Sequence, residues 1–271
     1  MKTLDIDTES CTQCTLCIKE CPSRALKQNS EGFPEFIKES CLKCQHCLAI
    51  CPEGSLSIYG YKPEDSQVLS KESLPDLNQI ELLMKGRRST RFYKDAEIPR
   101  DEIARLLDIA YHAPTGKNNQ TISFRVVYTR RQMTVFRESF YNILEQAIEK
   151  GMMSEESRFL TALVKAYREK NNDVFFRNAP HLLVAVGSEE AAIVHTDAII
   201  ASSYFELATA AAGYGALWNG YISHAINTVP ALKELLKLKK HEVFSYALCF
   251  GIPDVSFKRT VQRGTVVVEV L

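Results

Sequence analysis

The chain has no surplus charge of either sign: 33 Lys and Arg residues balance 33 Asp and Glu. Such a balance offers no basic face for nucleic acid or for an anionic membrane surface. No apolar run is long enough to span a bilayer. The segment Met1–Ser10 carries Asp5, Asp7 and Glu9 and lacks the apolar stretch of a secretory leader, so a cytoplasmic location is expected. No strand–GxGxxG–helix pattern occurs, which argues against a Rossmann nicotinamide site. No Ser/His/Asp set or pair of carboxylates stands out, so no side chain is expected to be the catalytic group. Cysteine is nearly absent outside one short stretch. Eight of the nine lie between Cys11 and Cys51, and Cys249 stands alone. Clustered cysteines form disulfides in oxidising compartments; without an export signal, metal ligation is the better reading.

The chain has 271 residues, 45% of them hydrophobic, enough for one large domain or two modest ones. Three zones follow from its pattern. Residues 1–58 hold the cysteine motifs. Residues 59–75 are polar and turn-rich and read as a linker. Residues 76–271 alternate helical and strand-like segments. Leu77, Ile80, Leu83 and Met84 keep helical spacing, as do Ile103, Leu106, Leu107 and Ala110. Residues 132–150 and 155–168 are further helices. The Ala-rich stretch 191–212 is apolar almost all round, which predicts a buried central helix. Pro230 opens another helix. Strands are expected at 122–128, 181–186, 243–250 and 265–270. Strands separated by long helices predict an α/β sandwich with a mixed sheet.

Residues 11–22 read Cys11-Thr-Gln-Cys14-Thr-Leu-Cys17-Ile-Lys-Glu-Cys21-Pro22, and residues 41–52 read Cys41-Leu-Lys-Cys44-Gln-His-Cys47-Leu-Ala-Ile-Cys51-Pro52. Each is C-x2-C-x2-C-x3-C-P. Paired C-x2-C motifs suffice for zinc; two complete four-cysteine runs, each closed by proline, exceed that need. They resemble the bacterial-type two-cluster ferredoxins. There, three thiolates at i, i+3 and i+6 wrap one face of a cubane and the fourth cysteine serves the other cluster. The resemblance implies one [4Fe–4S] cluster on Cys11, Cys14, Cys17 and Cys51. The second would lie on Cys41, Cys44, Cys47 and Cys21. Eight thiolates against two cores of +2 leave a charge of about −4 on the two clusters, which makes the loaded domain more acidic than its sequence suggests. His46, inside the second motif, reads as a solvent-facing or hydrogen-bonding residue.

Arg87-Arg88-Ser89-Thr90-Arg91 packs three guanidinium groups and two hydroxyls into five residues, a set able to bond a phosphate. Ala113-Pro114-Thr115-Gly116-Lys117-Asn118-Asn119-Gln120 follows a helix and is rich in amides that can meet the polar edge of a flavin. Together these segments resemble the FMN-dependent nitroreductase superfamily, with its R-R-S-x-R followed by P-S-x-x-N-x-Q-P-W. Thr115 replaces serine, and Thr121-Ile122 replace proline-tryptophan, which bears on substrate-side packing. Further matches are Arg177-Asn178-Ala179-Pro180, Gly213-Tyr214-Gly215 before Trp218-Asn219-Gly220, and Gly251-Ile252-Pro253. The resemblance implies that Arg87, Arg88, Ser89 and Arg91 contact the FMN phosphate and ribityl groups. Asn118 and Gln120 would bond the ring edge, with Pro114 and Thr115 also among the cofactor-binding residues, while Trp218, Asn219 and Gly220 would line its other side. Arg259 and Arg263 would close on the phosphate. Family members are homodimers, and residues 255–271 would be exchanged between subunits.

The expectation is therefore an α+β chain: a two-cluster ferredoxin domain at 1–58, a linker at 59–75, and a nitroreductase-like FMN domain at 76–271. Electrons would pass from ferredoxin or another low-potential donor through the clusters to FMN. They would leave to a small-molecule acceptor such as a nitroaromatic or quinone. Dehalogenation, ene reduction, or a redox sensor or carrier without a substrate are the alternatives. His195 and His224 read as core or surface residues, and Cys249 as a small buried hydrophobe.

Overall fold

In a computed structural model, residues 3–271 are described; Met1 and Lys2, where the first zone was expected to begin, lie outside them. The chain forms two compact units. The first runs up to Pro75 and includes Lys117–Asn119; the second comprises Asp76–Gly116 and Gln120–Leu271.

In the first unit two short ladders frame the cysteine loops. Strand β1 (Leu4–Ile6) pairs antiparallel with β4 (Leu56–Ile58), and β2 (Leu26–Gln28) with β3 (Pro34–Phe36). Helix α1 (Leu16–Glu20) follows the first cysteine loop and α2 (His46–Ala49) the second. The motif repeat is a backbone repeat. Gln13 and Thr15 have φ of 56° and 63°, and their counterparts Lys43 and Gln45 have φ of 55° and 61°. A left-handed residue with a Cβ costs roughly 1–2 kcal/mol. Four of them bend the two cysteine loops at matching positions. The apolar core is small: Leu26, Cys47, Leu48, Leu56 and Ile58. The following segment to residue 75 is exposed and holds only single 3-10 turns, Pro63–Asp65 and Lys71–Ser73, the latter capped by Ser70.

The second unit is built on a four-stranded sheet of order β5-β6-β8-β7: β5 (Ser123–Val127), β6 (His181–Ser188), β8 (Glu242–Gly251) and β7 (Gly215–Trp218). Helices α3 (Leu77–Gly86), α4 (Arg100–Tyr111), α5 (Arg130–Glu149), α6 (Phe159–Lys170), α7 (Val194–Ala211) and α8 (Gly220–Thr228) complete it. The period of two along β6 and β8 sorts the core. Leu182, Val184, Ala247 and Cys249 face a cluster with Phe140, Leu144, Leu160 and Ile226 from α5, α6 and α8. Leu183, Leu248 and Phe250 face the opposite cluster with Ile103, Leu106 and Phe205 from α4 and α7. Helices on both faces of a sheet make the expected sandwich.

Several finer expectations change. All three pairings in this sheet are antiparallel within the chain, not mixed. Residues 265–270 form no strand: the segment has no ladder partner, and Val266, Val267 and Val268 are 79%, 88% and 75% exposed. The alanine-rich helix α7 buries one face only, leaving Ile199 and Tyr204 exposed. The segment after Pro230 is a 3-10 helix. Strand β7 and helix α8 were not anticipated; both are short.

The loop that follows α3 reaches the sheet through a close approach. The Thr90 N–H donates to the Ala216 carbonyl on β7 at 3.0 Å. A Cβ on neighbouring Gly215 would stand 2.1 Å from Thr90 Oγ1 and 2.7 Å from its Cβ. Gly215→Ala should therefore destabilise the fold by about 1–3 kcal/mol, the usual cost of overpacking. Gly264→Ala, where nothing lies within 4 Å, is the control. Urea unfolding measures both; equal midpoints would contradict the packing argument.

Candidate functional site

The eight clustered cysteines divide between two cavities of the first unit. Cys11, Cys14, Cys17 and Cys51 line one, with Ile6, Pro34 and Leu56 as apolar wall. Cys21, Cys41, Cys44 and Cys47 line the other, walled by Leu26, Phe36 and Ile58. Each cavity thus takes three cysteines from one motif and the fourth from the other. Backbone N–H groups already point at sulfur: Ala25 to Cys21 Sγ at 3.1 Å, Ser55 to Cys51 Sγ at 3.3 Å and Lys43 to Cys41 Sγ at 3.3 Å. Burial pushes the Cys47 thiol up to about 11, with Cys44 and Cys41 adding repulsion. Burial also raises Cys17, beside Cys51 and Cys14. These neighbours favour neutral thiols until a cation compensates them, which is the electrostatic character of a metal-thiolate site. Among the described residues, no three His, Cys, Asp or Glu side chains converge on one point as a single ion requires. Sulfurs spread around a cavity suit a bulkier cluster. His46 is exposed and bonds Glu20 through Nδ1 at 3.1 Å.

The second unit holds a cleft of about 580 Å³, within the usual range for small-molecule and cofactor sites. It joins segments far apart in sequence: Arg87 and Arg88, Gly213-Tyr214-Gly215, and Pro253. Arg87 caps the C-terminus of α3 and pairs through Nη1 with Glu206 Oε1 on α7 at 2.7 Å. The Nε atoms of both Arg87 and Arg88 are buried without a hydrogen-bond partner. Orphaned cationic donors beside a cleft fit a ligand with an anionic end, since leaving them unpaired costs about 1–3 kcal/mol each.

The other expected contacts are distributed more widely. Ser89 is half-buried; Arg91 is exposed and donates to the Ser89 carbonyl at 3.4 Å. Pro114, Thr115 and Gln120 belong to the second unit, Asn118 to the first. Lys117, Asn118 and Gln120 have φ of 53°, 54° and 51°. The loop is anchored where the Gly116 N–H donates to buried Asp197 at 3.0 Å and the Gln120 N–H to Thr115 Oγ1 at 3.1 Å. Ile122, at the position of the family's tryptophan, is 5% exposed and packs with Ala113, Ala185 and Ala198. It is a core residue. Trp218 is half-buried with its ring 5.1 Å from that of Tyr246, and Gly220 opens α8. Arg259 and Arg263 lie on the exposed tail.

Asn219 has a different duty from the expected one. It is buried; its Oδ1 accepts from the Ile222 N–H at 3.0 Å, and its Nδ2 donates to the Phe175 carbonyl and to Cys249 Sγ. It caps α8 and is spent inside the protein. Cys249 is fully buried and pushed up to about 12 by that burial, an inert thiol as expected. His195 bonds Ser245 and His224 bonds Ser157, both structural. Glu206 and Asp197 were missed. Their one signal is that they are acids in an apolar helical stretch, where burial requires a partner.

With this geometry in place, comparison with known proteins is informative. The family described as the nitroreductase family matches residues 84–252, and the 4Fe-4S dicluster domain matches residues 3–56. No curated protein matches the chain. A nitroreductase from Bacteroides fragilis with bound FMN superposes with a TM-score of 0.56 at 19% identity, covering 71% of this chain and 99% of its own. A nitroreductase from Desulfitobacterium hafniense with bound FMN gives 0.55 at 18% identity, covering 72% and 100%. An iodotyrosine deiodinase bound to FMN and 3-iodo-L-tyrosine gives 0.50 at 20% identity, covering 70% and 97%. These likenesses establish the fold.

The bonds around Asn219 are testable. Asn219→Ala removes a helix cap and leaves a buried carbonyl unpaired, so it should cost about 2–4 kcal/mol. Thermal or urea denaturation measures this; a loss below about 0.5 kcal/mol, the scale of an ordinary surface change, would contradict it.

Proposed function

The chain belongs to the nitroreductase family, and from that premise we propose an iron–sulfur flavoprotein that passes electrons from a low-potential donor, through two [4Fe–4S] clusters, to FMN and an organic acceptor. The observation that carries this reading is the division of the cysteines between two cavities in crossed sets. In the proposal Cys11, Cys14, Cys17 and Cys51 hold one cluster, and Cys41, Cys44, Cys47 and Cys21 the other. The dicluster match over residues 3–56 supports it. The FMN of the Bacteroides and Desulfitobacterium proteins, with the orphaned arginine donors here, supports flavin in the second unit. When bound, the clusters supply single electrons and the flavin supplies two-electron reduction of the acceptor.

The chain's own residues bind and orient. Arg87 and Arg88 meet the phosphate, joined by Ser89 and Arg91 and closed from the tail by Arg259 and Arg263. Pro114, Thr115, Asn118 and Gln120 serve the ring edge, and Trp218 and Gly220 its other side. The donor is reduced ferredoxin or an equivalent protein, and the acceptor a nitroaromatic or quinone. The working place is the cytoplasm, where thiols stay reduced; among the described residues no helix is long and apolar enough to cross a membrane.

Anaerobically reconstituted protein should hold about eight irons per chain, four in each cubane, and one FMN. Cys14→Ala should lose about half of that iron and keep its FMN. In the same variant, stopped-flow absorbance should show flavin reduction by ferredoxin abolished, while photoreduced flavin still turns over acceptor. Zinc without acid-labile sulfide, or wild-type reduction rates in a variant lacking a cluster, would overturn the reading.

A homodimer belongs to the same proposal. Strand β5 is an edge, and beside it runs a groove of about 550 Å³ walled by Val126, Val135, Phe136, Leu182 and Leu235. An unpaired edge next to an apolar groove suits an added strand. The exposed segment Thr265–Val270 of a second copy supplies one, alternating valine and polar groups over part of its length. Deleting residues 255–271 should yield a monomer with weakened FMN binding by light scattering and flavin titration. A truncated protein that stays dimeric and yellow would contradict the exchange.

A further inference from the structure

We infer that Glu206 is the positioning residue of the phosphate-binding arginine: by holding one terminal nitrogen of Arg87, it makes the cleft select a phosphorylated flavin over an unphosphorylated one. This rests on the reading that Arg87 meets the FMN phosphate.

The two side chains come from different elements. Arg87 leaves the last turn of α3, where its own N–H still donates to the Leu83 carbonyl at 3.0 Å. Glu206 projects from α7, and both line the same cleft. Their contact is 2.7 Å, with the side chains 22% and 10% exposed. That is a charge-assisted bond at the short end of the normal range, largely removed from solvent screening.

The surroundings of Glu206 make its presence costly. The buried residues of α7 besides Glu206 are Asp197, Ala198, Ala201, Ser202, Phe205 and Thr209, so Phe205 and the alanines supply most of the apolar surface around it. An ionised carboxylate on such a face loses hydration that one ion pair barely repays, and an apolar residue would pack as well or better. Its contribution is therefore to be found at the cleft. A free arginine has several rotatable bonds and must surrender that freedom when it grips an anion. Glu206 imposes the order before the ligand arrives, which is the general route by which preorganisation raises affinity. The bond occupies Nη1 and leaves Nε uncommitted, buried and without a partner.

Two effects oppose each other. The carboxylate orients the guanidinium, but it also repels a phosphate. Glu206→Gln keeps an acceptor oxygen and removes the charge, whereas Glu206→Ala removes both. The full-length chain, stripped of flavin, is titrated with FMN and with riboflavin by fluorescence quenching, and melting curves report folding. Glu206→Ala should weaken FMN by about tenfold or more, the scale of a charge-assisted bond, and leave riboflavin within about twofold. Glu206→Gln should recover FMN affinity to within about threefold of wild type. Equal weakening of both flavins in Glu206→Ala would reveal a merely structural role and overturn the assignment. Tighter FMN binding in both variants would show that repulsion dominates, and would overturn it too. Wild-type protein that binds FMN and riboflavin alike would instead overturn the phosphate reading of Arg87, and this inference with it.

Discussion

Strand β6 has no wet side. Its first seven residues, His181 to Gly187, are all buried, and its backbone is paired on both edges, to β5 and β8. Both faces of the sheet must then be covered, and the helices of the second unit do this in two groups. Polar side chains with fixed partners gather at the ends of those helices. Arg87 emerges at the C-terminus of α3, Asn219 caps the N-terminus of α8, and Asp197 in the first turn of α7 anchors the Gly116 loop. The sealed strand lies at the centre of the scaffold, and these polar side chains sit at its margins, where elements packed on both faces hold them.

The first unit follows the opposite rule. Its strands are three residues long and, among the described residues, its apolar cluster has five buried members. So little buried surface cannot stabilise a fold of this size without help. The kinked loops, with left-handed residues at matching positions in both motifs, are locally unfavourable and gain only if something binds the thiols they present. Binding and folding are then one equilibrium, as in other small metal-held domains.

Much of this was legible in the residues. The cysteine runs show in their spacing that they are metal motifs, and the resemblance to two-cluster ferredoxins adds the crossed sets, which match the cysteines lining each cavity. Helices α3, α4 and α5 announce themselves through sustained periodicity. The elements that escaped are short or tertiary in origin. Gly215–Trp218 has four residues and no alternation, and becomes a strand only because β8 offers it an edge. Asn219 carries the residue type of a ligand contact and of a helix cap alike, and only the Phe175 carbonyl and the Ile222 N–H decide between them. The valines of 265–270 have strand propensity, but propensity without a partner strand makes no ladder.

The chain is neutral by count, yet the neutrality is uneven. In the cleft, two guanidinium groups face one carboxylate, leaving one net positive charge among Arg87, Arg88 and Glu206. An unopposed pair of arginines would attract any anion and would bind it in many orientations. A cleft with a single net charge and one arginine pinned in place attracts less strongly but in a fixed geometry. That compromise suits a cofactor held by one anionic end while its ring is presented elsewhere. It also suits a protein whose other unit becomes more negative when its thiolates are loaded, by about four charges for two cubanes. The added negative charge then falls on the first unit, while the net positive charge of the Arg87, Arg88 and Glu206 group stays in the second unit's cleft.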